Sequence, residues 1–377
     1  MLRWAGIVVV LAATAALAVP RADSRPPGSD GPSLALGPVL AGSRVVWGER
    51  EGSTFRVRTS SGRVLYERTA GAVGLALEQL AASPQLVAVR LAVEDCPPPT
   101  GGTASQCNLS HPVEYGAPDA TLSHEVREQT CPGGALSIAD SLDVSGNVLV
   151  TGATYDAFCD PAARHLRRHV VVHGATTRQL ADADATTQSA PGDVRAAGRF
   201  VAWSDVDGRR IVVYDLRARR RAYVVDVGGT RGLGFDVQED GKLAVADEGS
   251  VEWFRPGDSN PHRVLLRSAS TEIRINGDRI AFVAAGGRRL VLWPIGGRIR
   301  TVARFERATA DFDLSGDRMT WATMVVTSSR IDCGPPGTGR PCIRVYSGAS
   351  TIWVTRLGAK PARIAQLPFT DAPLPSG

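Results

Sequence analysis

Lysine is nearly missing from this 377-residue chain. It occurs only at Lys242 and Lys360, so arginine carries the formal charge of +5. Arginine usage this skewed, beside abundant alanine, points to a GC-rich, bacterial coding bias rather than to a polyanion site. The sharpest basic run, Leu216 to Tyr223, falls where a solvated hairpin turn is expected, and no nucleic-acid role is read from it. Aromatic residues make up only 6%, yet a hydrophobic content of 43% is enough for a sizeable core.

Apolar runs long enough to span a membrane are also lacking. The longest, Ala5 to Val19, follows Arg3 and ends with small residues at Ala16 and Ala18, which is the form of an export signal cleaved after residue 18 or kept as an anchor. Residues 19–33 then read as a Pro-rich, disordered lead-in, 34–368 as the folded domain and 369–377 as a tail. The chain contains no H-E-x-x-H, P-loop, dinucleotide fingerprint or G-x-S-x-G, and therefore no recognisable catalytic or cofactor motif. The Gly-Asp-Ser of 257–261 lies in a turn-like setting with Pro261 and reads as an exposed loop. His165, His169 and His173 are four apart, but the valines between the last two predict a strand. There one ion cannot bridge them, and they are expected to face solvent. Asn108-Leu-Ser matches a glycosylation sequon, which carries no weight in a bacterial chain.

No C-x-x-C pair occurs among the six cysteines, so in an exported chain they point to disulfides rather than to metal. Forty glycines and 24 prolines spread along the chain predict many short strands joined by tight turns.

The glycines are regularly placed. Gly42, Gly146, Gly198, Gly241, Gly277 and Gly316, with Pro84 in the second copy, each stand in a turn ahead of an apolar strand, and five residues on come Trp47, Val89, Thr151, Trp203, Ala246, Phe282 and Trp321. Further β-type runs follow each copy, giving four short strands per repeat. Seven such repeats predict an all-β fold, a seven-bladed β-propeller of four-stranded antiparallel blades, with six or eight blades as alternatives. The turns Leu314-Ser-Gly-Asp and Ile275-Asn-Gly-Asp resemble the WD40-like repeats of the TolB-type propeller family. That resemblance implies the fold and no catalysis. The α/β domain of the family's namesake is absent before the repeats, as are the Gly-His and Trp-Asp dipeptides of true WD40 repeats.

Strand direction alternates within a blade, so the loop from strand D into the next strand A shares a face with the loop from B to C. Cys96 and Cys107 bracket the B–C loop of blade 2, and Cys333 and Cys342 that of blade 7. Cys131 and Cys159 fall in the D–A and B–C loops at blade 3. Pairing within each of these three sets is expected, on one arc of one face. Five residues before the pivots stand Gly37, Gln79, Ser141, Asp193, Asp236, Glu272 and Asp311. The run Asp193, Asp236, Glu272, Asp311 is the candidate site at the channel mouth. These carboxylates would raise one another's pKa or recruit a divalent cation or cationic ligand; alternatively they bond to backbone and channel water, or pair with Arg195 and Arg274. No catalytic residue, metal ligand or other cofactor is assigned.

The functional expectation is an exported, non-enzymatic, monomeric scaffold that binds a protein, glycan or small ligand. The alternatives are a glycan hydrolase or lyase using paired carboxylates, and a structural component of the cell envelope.

Overall fold

The computed structural model describes residues 31–70, 74–95, 108–126, 137–155, 167–184, 191–205, 209–227, 234–246, 249–258, 262–265, 269–284, 288–305, 311–332 and 343–372. All six cysteines, His165 and Ser259 lie outside these residues. Seven four-stranded antiparallel blades follow one another in chain order, so the fold is a seven-bladed β-propeller. The inner strands, A, are Ser33–Ala41, Gly74–Ala82, Ser137–Ser145, Pro191–Ala197, Gly234–Val237, Ala269–Asn276 and Phe312–Ser315. Blade 2 carries one extra strand, Asn108–Ser110, paired to its strand B.

The pivot glycines act as the repeat requires. Gly42, Gly146, Gly198, Gly277 and Gly316 each open a two-residue A–B hairpin with φ between 54° and 62°, the place where a type II′ turn needs glycine. Blade 5 departs from the pattern. Five residues separate Val237 from its partner Leu243, where four separate Ala196 from Val201 in blade 4, and the glycine is fourth in that loop instead of second. Counting back from Gly241 therefore lands two positions off on the inner strand.

The core lies between blades rather than inside any one of them. Val150, Val170 and Val172 of blade 3 pack on Val194, Val201 and Trp203 of blade 4. The same arrangement closes the ring, where Leu40, Val45 and Trp47 of blade 1 meet Ile352, Val354 and Leu367 of blade 7. Each such side chain stabilises the closure by about 1.5–3 kcal/mol relative to exposure. Trp47, Trp203, Phe282 and Trp321 are all buried, as interblade packing requires; the corresponding place in blade 5 holds Val245, paired with Phe235, and not Ala246.

Strands B and C of blade 7 run from Arg318 to Asp332 and from Ile343 to Arg356, far longer than the six-residue Phe200–Asp205 and Arg210–Asp215 of blade 4. They continue outward as a paired ribbon to Asp332 and Ile343, with Val325 and Ile331 exposed on it. In blade 2 the extra strand extends strand B in the same direction, out to the pair Asp95 and Asn108.

Candidate functional site

One residue of each inner strand stands at an equivalent register, opposite Val46, Ala88, Val150, Ala202, Ala244, Ala281 and Thr320 of the seven B strands. These inner residues are Val39, Ala81, Asp143, Arg195, Asp236, Arg274 and Asp313. From blade 3 to blade 7 the belt therefore alternates in sign, Asp, Arg, Asp, Arg, Asp.

The three aspartates do the same job. Asp143 accepts hydrogen bonds from the N–H of Val144 at 2.9 Å and of Ala196 in blade 4 at 2.8 Å. Asp236 accepts from Val237 at 3.0 Å and from Ile275 in blade 6 at 2.8 Å. Asp313 accepts from Leu314 at 2.8 Å and from Leu40 in blade 1 at 2.7 Å. Each carboxylate thus ties its own strand to the inner strand of the next blade.

The two arginines also match each other. Arg195 and Arg274 each donate through Nη1 to the carbonyl of the preceding residue at 2.8 Å, and each guanidinium stands about 6 Å from an aromatic ring of the next blade, Phe235 at 5.9 Å and Phe312 at 6.0 Å. Arg274 Nε also lies 3.6 Å from Asp313 Oδ1. Between blades 2 and 3 an amide replaces the charges: Gln79 donates to the Leu142 carbonyl at 2.8 Å and accepts from the Leu142 N–H at 3.1 Å.

Burial sets the electrostatics of the belt. It raises the carboxyls of Asp143 and Asp313 above the ordinary range, against the pull of Arg195 on the first and Arg274 on the second. It pushes Asp236 up to about 7, opposed by Arg274 and reinforced by Asp143. For Arg274 burial works against the charge, but Asp236, Glu272 and Asp313 more than offset it and hold the guanidinium protonated.

The four carboxylates singled out from the sequence do not form one row. Two residues nearer the start of each inner strand stand Gly37, Gln79, Ser141, Asp193, Gly234, Glu272 and Asp311, so Asp193, Glu272 and Asp311 fall in one row while Asp236 falls in the next, in the belt. The cause is the longer blade 5 hairpin. Asp193 and Asp311 are exposed residues of that row. Surrounding protein pushes Asp311 up to about 6, and Glu272 adds to the effect. Among the described residues no group of three or more His, Cys, Asp and Glu is gathered closely enough to hold a metal ion.

Asp143 and Asp313 were missed by the sequence reading. Their signal is the alternation of Asp143, Arg195, Arg274 and Asp313 three residues before the pivot, visible in every charged blade except the displaced fifth. His169 and His173 lie in a strand, as expected, but His173 is not turned to solvent: its Nε2 is 2.9 Å from Thr151 Oγ1, and burial lowers its pKa to about 4.

The fold defines the class, a WD40-like seven-bladed β-propeller. No family model and no curated protein sequence matches the chain. Among solved structures, a chain of "Crystal Structure of Mitotic Checkpoint Complex" is similar at 15% identity and a TM-score of 0.46, covering 79% of this chain and 78% of that one. "The crystal structure of BamB from Moraxella catarrhalis" is similar at 10% identity and 0.40, covering 66% and 68%. A chain of "Crystal structure of Nidogen/Laminin Complex" is similar at 12% identity and 0.39, covering 78% and 92%. These likenesses are of fold alone.

Proposed function

We propose that this chain is an exported, non-enzymatic binding scaffold of the TolB-like kind, which engages a partner through the B–C face of blades 7, 1 and 2. The observation that carries the reading is the pair of raised extensions. The ribbon of blade 7 and the added strand of blade 2 flank blade 1 and stand out from a ring whose other described blades have B and C strands of ordinary length. Val325 and Ile331 are 43% and 64% exposed there, unpartnered apolar area of the kind that anchors an interface. The belt supports a non-enzymatic reading because Asp143, Asp236 and Asp313 are each committed to two backbone N–H groups and hold the ring together. The Pro-rich lead-in and the stapling of the loops by disulfides belong to the same reading.

The test is site-specific photocrosslinking in the cell envelope, with the crosslinker at Ile331 and, as a control, at Val224 on the outer strand of blade 4. A discrete adduct from Ile331 alone, lost when an Asn-Gly turn joins Val325 directly to Ala349, is the expected result. Equal labelling from both positions, or none from either, would overturn the assignment of this face.

A further inference from the structure

The A–B hairpins and C–D turns lie on the face opposite the B–C loops. On that face arginine is concentrated at the C–D turn of blade 4, between the strands Arg210–Asp215 and Arg220–Asp226. Arg217, Arg219, Arg220 and Arg221 are all exposed, and none of them forms an ion pair among the described residues. The acid in the turn is already used. Asp215 Oδ1 accepts from the N–H groups of Arg217 at 2.8 Å and Ala218 at 3.0 Å, and Oδ2 lies 3.2 Å from Arg199 Nε. The bond from Ala218 is the main reason its carboxyl is held below the ordinary range. Asp215 thus faces five arginines, with Glu239 of the next hairpin packed beside Gly198, on a turn whose backbone is fixed, with Arg219 at a φ of 55°.

A second feature shares the face. In the C–D turn of blade 6, Ile299 is 41% exposed between the exposed Arg298 and Arg300. Arg255 on blade 5, between the two, is exposed as well. Acids are present on the same rim: Lys242 bridges Asp240 and Asp278 at 3.0 and 3.1 Å, and Glu239, Asp258 and Asp317 are exposed there, but they are scattered singly while the arginines are clustered.

We infer that this face docks on the headgroup plane of an anionic lipid bilayer. Five two-residue hairpins give the ring a shallow, level rim, which suits a plane better than it suits a small anion that needs a concave site. No aromatic ring is among the exposed large apolar side chains of the described residues, so base stacking is not offered. An apolar tip between two arginines serves the interfacial layer, where the arginines meet phosphates and the isoleucine enters the acyl boundary. The inference concerns the face opposite the proposed partner site and does not depend on it.

The test uses the chain from Gly31 onward, which holds all seven blades and leaves out the apolar run Ala5 to Val19. Vesicles of phosphatidylcholine are compared with vesicles containing about a third phosphatidylglycerol, at low and raised salt. Binding confined to the anionic vesicles and weakened by salt is expected. The quadruple change Arg217→Gln, Arg219→Gln, Arg220→Gln and Arg221→Gln should lower partitioning about a hundredfold or more, with an unchanged thermal melt. Ile299→Ser should lower it further in the native background without affecting binding to soluble polyphosphate. Equal binding to neutral vesicles, an unaltered quadruple variant, or polyphosphate bound as tightly as vesicles with no effect of Ile299→Ser would overturn the inference. The last of these outcomes would mark a soluble polyanion site instead.

Discussion

Asp313 of the last blade accepts a hydrogen bond from the backbone N–H of Leu40 in the first, at 2.7 Å, so the ring is closed by the same carboxylate device that joins blade 3 to blade 4 and blade 5 to blade 6. Apolar packing between Trp47 and Ile352 and their neighbours supplies area at this seam, and Asp313 supplies register. Replacing Asp313 with alanine leaves the Leu40 N–H without its acceptor and Arg274 without its near carboxylate. A loss of about 1–3 kcal/mol in urea unfolding is expected. Asp193→Ala, at an exposed position outside the belt, should stay within about 0.5 kcal/mol. Equal losses for the two variants would show that the belt contributes nothing specific to closure.

Gly37 and Asp311 form a second contact at the seam. A Cβ built on Gly37 would lie 2.1 Å from Asp311 Cβ, a distance no real pair adopts, so the inner strands of blades 1 and 7 approach as closely as they do because residue 37 has no side chain. Gly37→Ala must push the seam apart, and a destabilisation of about 1–3 kcal/mol or more is expected. Gly174→Ala, where an added Cβ meets nothing, is the control. Comparable melting temperatures for the two variants would mean the seam is looser than described.

The pH response has two opposed parts. Asp236 titrates near 7 in the fold against an ordinary 3.8, so the folded state holds its proton more tightly. The stability this gives is complete below the ordinary value and is lost as pH rises from about 4 to about 7. His173 is the reverse case. Its pKa falls from 6.5 to about 4, so its contribution is complete above 6.5 and is lost as pH falls towards 4. Urea midpoints across this range should show Asp236→Asn losing part of the decline towards neutral pH, the remainder belonging to Asp143, Asp311 and Asp313, and His173→Gln losing the decline towards acid. Parallel profiles for the native chain and Asp236→Asn would refute the assigned burial of that carboxyl.

What could be read from the chain before folding was whatever repeats at fixed distance from a turn. Gly42, Gly146, Gly198, Gly277 and Gly316 share one backbone requirement, and with Pro84 and Gly241 at matching intervals and a β-type run after each they gave blade number and strand order. The belt was only half legible. Arg195 and Arg274 were considered as partners for carboxylates, but Asp143 and Asp313 were passed over, because Gly241 stands fourth instead of second in the blade 5 hairpin, which placed Asp236 in the wrong row and broke the alternation. The bonds from Asp143 to Ala196 and from Asp313 to Leu40 join residues far apart in sequence, and no local pattern encodes which backbone N–H a carboxylate will meet. The raised ribbon of blade 7 was legible only as a long B–C region, since its strands carry no alternation strict enough to separate strand from loop.

The ends of the raised extensions bear on the cysteines. The last described pair on blade 2 is Asp95 with Asn108, and on blade 7 Asp332 with Ile343. The next positions outward along the chain are Cys96 and Cys107 in the first case and Cys333 and Cys342 in the second. Residues directly opposite in an antiparallel pair have Cα atoms about 4.5–5.5 Å apart, within the span a disulfide needs. Cys96–Cys107 and Cys333–Cys342 are therefore expected, which leaves Cys131 to pair with Cys159. Peptide mapping without reduction should find these three links, and any link between the blade 2 set and the blade 7 set would contradict them. Closing the two ribbon loops contributes at most about 3 kcal/mol each, chiefly at the ribbon tips. Reduction should accordingly raise hydrogen exchange along the ends of the strands Val87–Asp95 and Arg318–Asp332 before it affects the belt. Exchange that rose at Val144 and Leu314 at the same time as at the ribbon ends would show that the disulfides hold the ring itself.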